Sequence, residues 1–281
     1  MSWGPQEQHW VGDGFYVHTL ITPSPKVYPY ISPFLLLDYA PPKHFDSGTK
    51  RRGVGEHPHR GFETVTFAFA GEVEHRDSGG GGGVIRPGDV QWMTAAKGVV
   101  HDEFHSTEFT QSGGLFSMVQ LWVNLPAKDK MANPKYQGIK SEQCPIVTPT
   151  DGVSLKIFAG EYLNEKGPCS SFTPINLFDI DIQKGCGFDL ELPDKTNTLI
   201  LILKGEISVL DKSFSHKDII IFEQKGELIS IKANQESKLL ILNGEPIDEP
   251  VAAYGPFVMN TREELVEAFN DYQAGKMGNL P

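Results

Sequence analysis

The chain has 281 residues, of which 39% are hydrophobic and 22% charged, and its formal net charge is −11. This composition is typical of a folded protein and argues against global disorder. The acidic balance argues against direct binding to nucleic acid, because a phosphate-backbone binder needs basic surface for counterion release. No apolar run approaches the ~18 residues of a membrane span, and the first ten residues lack the basic and apolar regions of a signal peptide.

The cysteine and turn-residue content indicates the compartment and the fold class. Cys144, Cys169 and Cys186 form no CxxC pair and are odd in number, which is typical of reduced thiols in a cytoplasmic protein. The 29 glycines and 20 prolines favour a chain rich in β-strands and turns. A chain of this length holds two domains or one large one, since domains typically have roughly 100–200 residues.

Short runs with a period of two predict β-strands through most of the chain. They are Gly61–Phe69, Leu115–Val123, Leu155–Ala159, Phe178–Ile182, Leu199–Leu203 and Leu239–Leu242. Many short strands separated by turns indicate a sandwich or a barrel rather than βαβ units.

Two strand-rich halves are separated by a polar connector, 126–150, which contains four prolines. In each half a Gly-Glu turn, at Gly71 and again at Gly205, ends a strand-like run and precedes a Gly-Asp or Lys-Asp step. This weak internal repeat favours a duplicated β-barrel. We predict an all-β fold with two tandem barrels, in domains 1–135 and 136–281, and a short C-terminal helix.

The helix is predicted by a capping box. Thr261 is the expected N-cap and Glu264 the third helical residue. Leu265, Phe269 and Tyr272 follow at helical spacing, and Gly275 suits the C-terminal end. We expect this helix to pack on a barrel.

Five consecutive glycines, Gly79 to Gly83, form the other prominent local motif. No lysine follows them, so they do not match the phosphate-binding loop. A hairpin loop is the better interpretation.

Two short histidine motifs predict a metal site. His57 and His59 are separated by one residue, and His101 and Glu103 repeat that spacing with a carboxylate. On a strand, residues two apart share a face at ~6.6 Å along the chain, so each pair can converge on one ion. If the two segments are neighbours, they supply three imidazole nitrogens and one carboxylate.

This donor set suits Fe(II), Mn(II), Ni(II), Cu(II) or Zn(II) better than Ca²⁺ or Mg²⁺. It contains no thiol, which argues against a structural zinc site. Four protein ligands leave room on an octahedral metal for substrate, water or O₂, which is typical of a catalytic or sensing site.

The choice of carboxylate favours Glu103 over Glu63. Glu63 lies four residues from His59, ~13 Å along an extended strand, and would need a bend to reach the ion. We expect Glu63 to serve packing or to support a ligand. His105 lies one step beyond Glu103 on the same face, where a supporting role is the alternative to an ordinary buried histidine. The remaining histidines are expected to be surface or hydrogen-bonded residues. They are His9, His18, His44, His75 and His216.

Four long segments of the chain resemble the pirin family of the cupin superfamily. They are HPHRGFETVTF, PGDVQWMTAAKGVVHDEFHS, GLFSMVQLWVNLP and the ending GPFVMNTREELVEAFNDYQAGKMG. The resemblance covers most of the chain and is densest between Gly53 and Pro126.

The resemblance implies a bicupin with iron in the N-terminal barrel. Its metal ligands fall on His57, His59, His101 and Glu103, in agreement with the spacing. The second half has no HxH motif and one histidine, His216, so we expect a degenerate, metal-free C-terminal barrel.

The resemblance also implies two functions, of which we favour the enzyme. Pirins resemble quercetin 2,3-dioxygenases, which open a flavonol ring with O₂ and release carbon monoxide. Glu103 is the expected base for the flavonol 3-hydroxyl. Val65, Phe67 and Phe69 continue the alternation of the histidine strand, so we expect them to line an apolar substrate pocket, with barrel core as the alternative.

The alternative function is a redox-sensitive, iron-containing co-regulator that binds a transcription factor or a metabolic enzyme. The acidic surface suits a protein partner better than DNA. The metal site serves both functions equally, so the site by itself does not choose between them. We expect a monomer, because two barrels in one chain can bury facing surfaces internally.

Overall fold

A computed structural model describes residues 1–3, 7–22, 24 and 26–280. The fold is mostly β, as predicted. Along the chain, the first strands are β1 (Ser2–Trp3), β2 (His9–Val11), β3 (Phe15–Ile21), β4 (Phe34–Phe45), β5 (Gly53–His59), β6 (Phe62–Ala70), β7 (Val73–Asp77), β8 (Gly82–Ile85), β9 (Val90–Thr94), β10 (Val99–His105), β11 (Gly114–Asn124) and β12 (Lys135–Ile139).

The remaining strands are β13 (Ile146–Val147), β14 (Val153–Ala159), β15 (Glu161–Tyr162), β16 (Glu165–Lys166), β17 (Ile175–Ile182), β18 (Gly187–Glu191), β19 (Asn197–Lys204), β20 (Glu206–Val209), β21 (Lys212–Ser215), β22 (Ile219–Ile221), β23 (Leu228–Ala233), β24 (Ser237–Gly244), β25 (Ala252–Tyr254) and β26 (Phe257–Met259). The helices are α1 (Tyr28–Ile31), α2 (Thr107–Ser112) and α3 (Arg262–Gln273), with 3₁₀ turns at Ala127–Asp129 and Ser141–Gln143. All six strands predicted from periodicity are present.

The chain forms two compact units. The N-terminal barrel unit comprises Gln6–Pro25, Phe34–Ser141 and Ile247–Pro281, and the C-terminal barrel unit comprises Met1–Pro5, Lys26–Pro33 and Glu142–Pro246. These units depart from the expected division into 1–135 and 136–281, because both ends of the chain pack with the barrel that is distant in sequence. For example, β1 pairs with β22.

The N-terminal barrel unit contains two antiparallel sheets. A seven-stranded sheet has the order β12-β9-β6-β11-β4-β3-β2, and a four-stranded sheet has the order β5-β10-β7-β8. Their inward faces bury a cluster of apolar side chains that includes Phe15, Val17, Ala68, Phe116 and Met118. The four-stranded sheet carries both predicted histidine motifs, on β5 and β10.

The C-terminal barrel unit repeats this arrangement. Its sheets have the orders β1-β22-β19-β24-β17-β14-β13 and β18-β23-β20-β21. The core between their strands is almost entirely aliphatic, with Ile157, Ile180, Ile200, Ile202 and Leu239 fully buried. The same pairing of a seven-stranded and a four-stranded sheet agrees with the predicted duplication.

The predicted capping box begins α3. The Thr261 hydroxyl accepts from the amide of Glu264, whose carboxylate accepts from the Thr261 amide in return. Leu265 and Ala268 of α3 are buried in a cluster with Val100 of β10 and Phe257 of β26. This packing attaches the C-terminal segment to the N-terminal barrel unit. None of the helices in the described ranges has the length and apolar character that a membrane span requires.

Candidate metal centre

The two histidine motifs meet on neighbouring antiparallel strands. His101 of β10 lies opposite His57 of β5, and Val99 lies opposite His59. A bulge follows, because Glu103 pairs with Val54. The ring centroids of His57, His59 and His101 are 4.2–4.9 Å apart. The structure therefore brings together the segments that were predicted to be neighbours.

Two overlapping groups of side chains have donor atoms within 4.8 Å of one another. One group is His57, His59 and His101, and the other is His75, His101 and Glu103. His101 belongs to both, so the four predicted ligands form one continuous cluster. His75 also belongs to the second group, which the spacing of the two motifs did not predict.

The hydrogen bonds of His57 and His59 leave their Nε2 atoms available to an ion. The Nδ1 of His57 lies 2.8 Å from the Gly55 carbonyl, and that of His59 lies 3.2 Å from the Pro256 carbonyl. A carbonyl only accepts, so each Nδ1 carries the hydrogen and each Nε2 keeps its lone pair. This is the form in which a neutral imidazole binds a metal.

His101 gives the clearest indication that the cluster fits an ion. Its side chain is fully buried, and its Nε2 has no hydrogen-bond partner among the described residues. Buried polar atoms are nearly always paired, because an unpaired one costs about 1–3 kcal/mol. A metal ion would satisfy this atom. The residues present therefore fit a divalent transition metal.

Burial keeps the imidazoles of His59 and His101 neutral. Desolvation, aided by the nearby charge of His57, lowers the pKa of His59 from 6.5 to about 3. Desolvation and the neighbouring histidines also lower the pKa of His101 well below its usual value. Both side chains consequently remain unprotonated at neutral pH, which metal binding requires.

Glu103 is held by amide donors on both of its oxygens. Oε1 accepts from Gln91 Nε2 at 2.7 Å, and Oε2 accepts from Gln120 Nε2 at 2.8 Å. Thr66 Oγ1 lies 3.4 Å from Oε1. These contacts orient Glu103, which is the one carboxylate among the two groups of described residues. Metal-binding carboxylates usually have such hydrogen-bonded support.

Glu63 lies outside both groups. It is 1% exposed, and its Oε1 accepts from Thr94 Oγ1 at 2.6 Å. Burial, opposed by the hydrogen bond from Thr94, raises its pKa to about 7.

We expect Glu63→Gln to retain the metal. Gln can still accept the hydrogen bond from Thr94, and neither oxygen of Glu63 belongs to the two groups of possible ligand atoms. Elemental analysis should give the wild-type metal content, whereas His59→Ala should lose most of it. Equal losses in the two variants would show that Glu63 is a ligand.

A cavity of about 350 Å³ opens beside the cluster, and its size is within the range of small-molecule sites. Its lining is apolar apart from the metal cluster and a few polar groups. The lining residues are Val11, Phe15, Val17, Asp38, Val54, His57, His59, Glu103, Met118, Gln120 and Trp122. The Trp122 indole N–H has no partner among the described residues. Asp38 and Trp122 lie on β4 and β11, which adjoin the cluster only through tertiary structure.

Contrary to the prediction, Val65, Phe67 and Phe69 do not line this cavity. Val65 and Phe67 are fully buried on the face of β6 opposite to Thr66, which contacts Glu103. The alternation does not continue from β5 to β6, because Gly61 turns the chain with a φ of +88°.

His105 is a buried histidine within an aromatic cluster. Its Nε2 donates to the Gly14 carbonyl at 3.0 Å, and its ring packs against Phe15, Phe45 and Phe116. No described contact joins its side chain to that of His101 or Glu103. His105 therefore fits the prediction of an ordinary buried histidine rather than that of a residue supporting a metal ligand.

His75 was expected to be a surface or hydrogen-bonded residue, and it is fully buried and hydrogen-bonded. It lies on β7, where it pairs with Glu103, and Asp77 pairs with His101. The available signal was the spacing: His75 and Asp77 are separated by one residue, as His101 and Glu103 are.

Comparison with known proteins places these features in a family. Residues 17–123 match the pirin family and residues 177–278 match the pirin C-terminal cupin domain. A Pseudomonas aeruginosa protein named as a candidate quercetin 2,3-dioxygenase is 45% identical over 98% of this chain and 96% of its own length.

Solved structures agree with the family match. The crystal structure of a quercetin 2,3-dioxygenase from Acinetobacter baumannii has a TM-score of 0.96 and 47% identity, covering 99% of this chain and 97% of that one. A bacterial pirin from Escherichia coli, in complex with nickel(II), shares the fold with a TM-score of 0.63 at 20% identity, covering 88% and 100% of the two chains. The chain is therefore a bicupin that belongs to the pirin family.

Proposed function

We propose that this protein is a metal-dependent oxygenase of the quercetin 2,3-dioxygenase type, with His57, His59, His101 and Glu103 as its metal ligands. The buried, unpartnered Nε2 of His101 beside a cavity of small-molecule size carries the proposal. Relatives with 45% and 47% identity that are named for this activity support it. Fe(II) is the proposed metal, and the same donors also accept Ni, Cu, Mn or Zn.

A bound metal would supply the Lewis acidity and redox chemistry that cleavage of a flavonol by O₂ requires. The chain's own residues prepare the substrate. Glu103 is proposed to accept the 3-hydroxyl proton, and its hydrogen bonds from Gln91 and Gln120 hold it in place for that transfer. The unpartnered indole N–H of Trp122 is a donor for a flavonol oxygen. The apolar wall of Phe15, Val17 and Met118 suits an aromatic ring and excludes water.

The test is turnover of quercetin by protein loaded with each metal in turn. We expect loss of the quercetin absorbance and release of carbon monoxide in air, with one metal per chain by elemental analysis. His59→Ala is the matched variant and should bind little metal and show no turnover. If the protein binds one metal per chain but turns over no quercetin with each of the five metals in turn, the oxygenase is contradicted and the co-regulator is favoured. Absence of bound metal would contradict the site itself.

A further inference from the structure

Behind His101, on the side away from His57, a second histidine and an aspartate form a row. His75 Nδ1 lies 3.3 Å from His101 Nδ1, and His75 Nε2 lies 3.1 Å from Asp77 Oδ2. His75 is fully buried and stacks on Tyr136 at 5.1 Å. Asp77 is 4% exposed. The row therefore runs through the interior of the N-terminal barrel unit.

The hydrogen bonds of this row have a single consistent direction. Asp77 Oδ1 accepts from the amides of Gly79 at 2.8 Å and Gly81 at 2.9 Å, which holds the carboxylate in place. A carboxylate only accepts, so His75 donates from Nε2 to Oδ2, and its Nδ1 keeps a lone pair. His101 must then donate from Nδ1, which leaves the lone pair of His101 on Nε2.

The partner of His101 differs in kind from those of the other two histidines. The Nδ1 atoms of His57 and His59 face backbone carbonyls, which impose the tautomer directly. His101 faces an imidazole, which can donate or accept. Only a group beyond His75 can settle the direction, and Asp77 is that group.

We propose that Asp77, acting through His75, is a positioning residue that holds His101 in the tautomer whose Nε2 can bind the metal. The glycine hairpin 79–83 then has a specific purpose, because its amides hold the Asp77 carboxylate. The proposal rests on the metal site proposed above but does not depend on the oxygenase activity.

Asp77→Asn is the decisive variant, because the fold dictates how an amide must sit there. The Gly79 and Gly81 amides require an oxygen at the Oδ1 position, so the amide nitrogen faces His75. His75 Nε2 must then accept, its Nδ1 donates to His101, and the hydrogen of His101 moves to Nε2. We expect metal affinity, measured by competition with a chelator, to fall by about 10–100-fold, the range for residues that support metal ligands.

A double-mutant cycle separates this relay from a general effect on the fold. His75→Asn offers either amide atom to His101 and imposes no tautomer, so its metal affinity should fall below that of the wild type but stay above that of Asp77→Asn. In that background, Asp77→Asn should cause little further loss. Arg76→Gln is the matched control on β7, because Arg76 pairs with Asp102 rather than with the row, and it should leave the affinity unchanged.

A second readout needs neither metal nor turnover. Nitrogen–proton correlation NMR of the metal-free wild type should show His101 protonated on Nδ1 and His75 on Nε2, and Asp77→Asn should reverse both. Wild-type His101 protonated on Nε2 would overturn the proposal even if the variant failed to fold. An equal loss of affinity from Asp77→Asn with and without His75 would also overturn it.

Discussion

Glu103→Gln is expected to lower quercetin turnover at saturating metal by about 10²–10⁴-fold, the usual effect of losing a general base. Metal affinity should also fall, by about tenfold or more, because the variant removes the one carboxylate in the cluster. Gln keeps the size and one oxygen of the side chain, so both effects report on charge and basicity. Steady-state turnover at several metal concentrations separates them.

Glu63→Gln is the matched control for this variant, since it makes the same change at another buried carboxylate of the same barrel unit. It should change neither property. If metal-saturated Glu103→Gln turns quercetin over at the wild-type rate, Glu103 is not the base. Asp38, the other carboxylate that lines the cavity, would then be the candidate. Normal metal affinity in Glu103→Gln would exclude Glu103 as a ligand as well.

The second large effect is expected in the stability of the metal-free protein at low pH. Burial, opposed by the hydrogen bond to Gly14, lowers the pKa of His105 from 6.5 to about 4. The unfolded chain therefore takes up this proton first as the pH falls, and stability is lost between about pH 6.5 and pH 4. One proton is worth about 1.4 kcal/mol per pH unit, so this histidine accounts for about 3 kcal/mol over that window.

His105→Gln should remove this dependence, because Gln can donate to the Gly14 carbonyl but does not titrate. The free energy of unfolding of both proteins should be measured with urea at pH 7 and near pH 4. Between pH 7 and pH 4 the wild type should lose about 3 kcal/mol more stability than His105→Gln. The other buried histidines are present in both proteins, so their contributions to the pH dependence cancel in the difference. Phe109→Leu disturbs the same aromatic cluster without removing a titrating group. It should therefore lower the free energy of unfolding by the same amount at both pH values. If the stability difference between wild type and His105→Gln is the same at both pH values, His105 is already protonated in the folded protein near pH 4.

Local patterns were sufficient to predict six of the strands and the four proposed ligands. Alternation over four to nine residues predicts a strand because successive side chains point to opposite faces. The same period places His57 beside His59 and His101 beside Glu103, so each half of the cluster can be read within three residues. The capping box of α3 is equally local, since its hydrogen bonds join residues three apart.

Alternation stops being informative where the chain turns. Val65, Phe67 and Phe69 share parity with the histidines in sequence, yet Gly61 intervenes with a left-handed backbone. A side chain there would approach the Val258 carbonyl to 1.9 Å. That contact involves a residue almost 200 positions away, so the face of β6 that meets the cavity was not determined by local sequence.

The sequence alone thus determined the β-rich class, the duplicated barrel and the two motifs that form the cluster, because each depends on residues close together in the chain. Only the tertiary structure decided which other groups join them. His75 and Asp77 reach His101 through the pairing of β7 with β10. Asp38 and Trp122 line the cavity from β4 and β11, which are strands of the other sheet. The C-terminal segment joins the N-terminal barrel unit through the packing of α3 on Val100 and Phe257. These contacts depend on strand order and side-chain packing over long sequence separations, which periodicity and spacing do not encode.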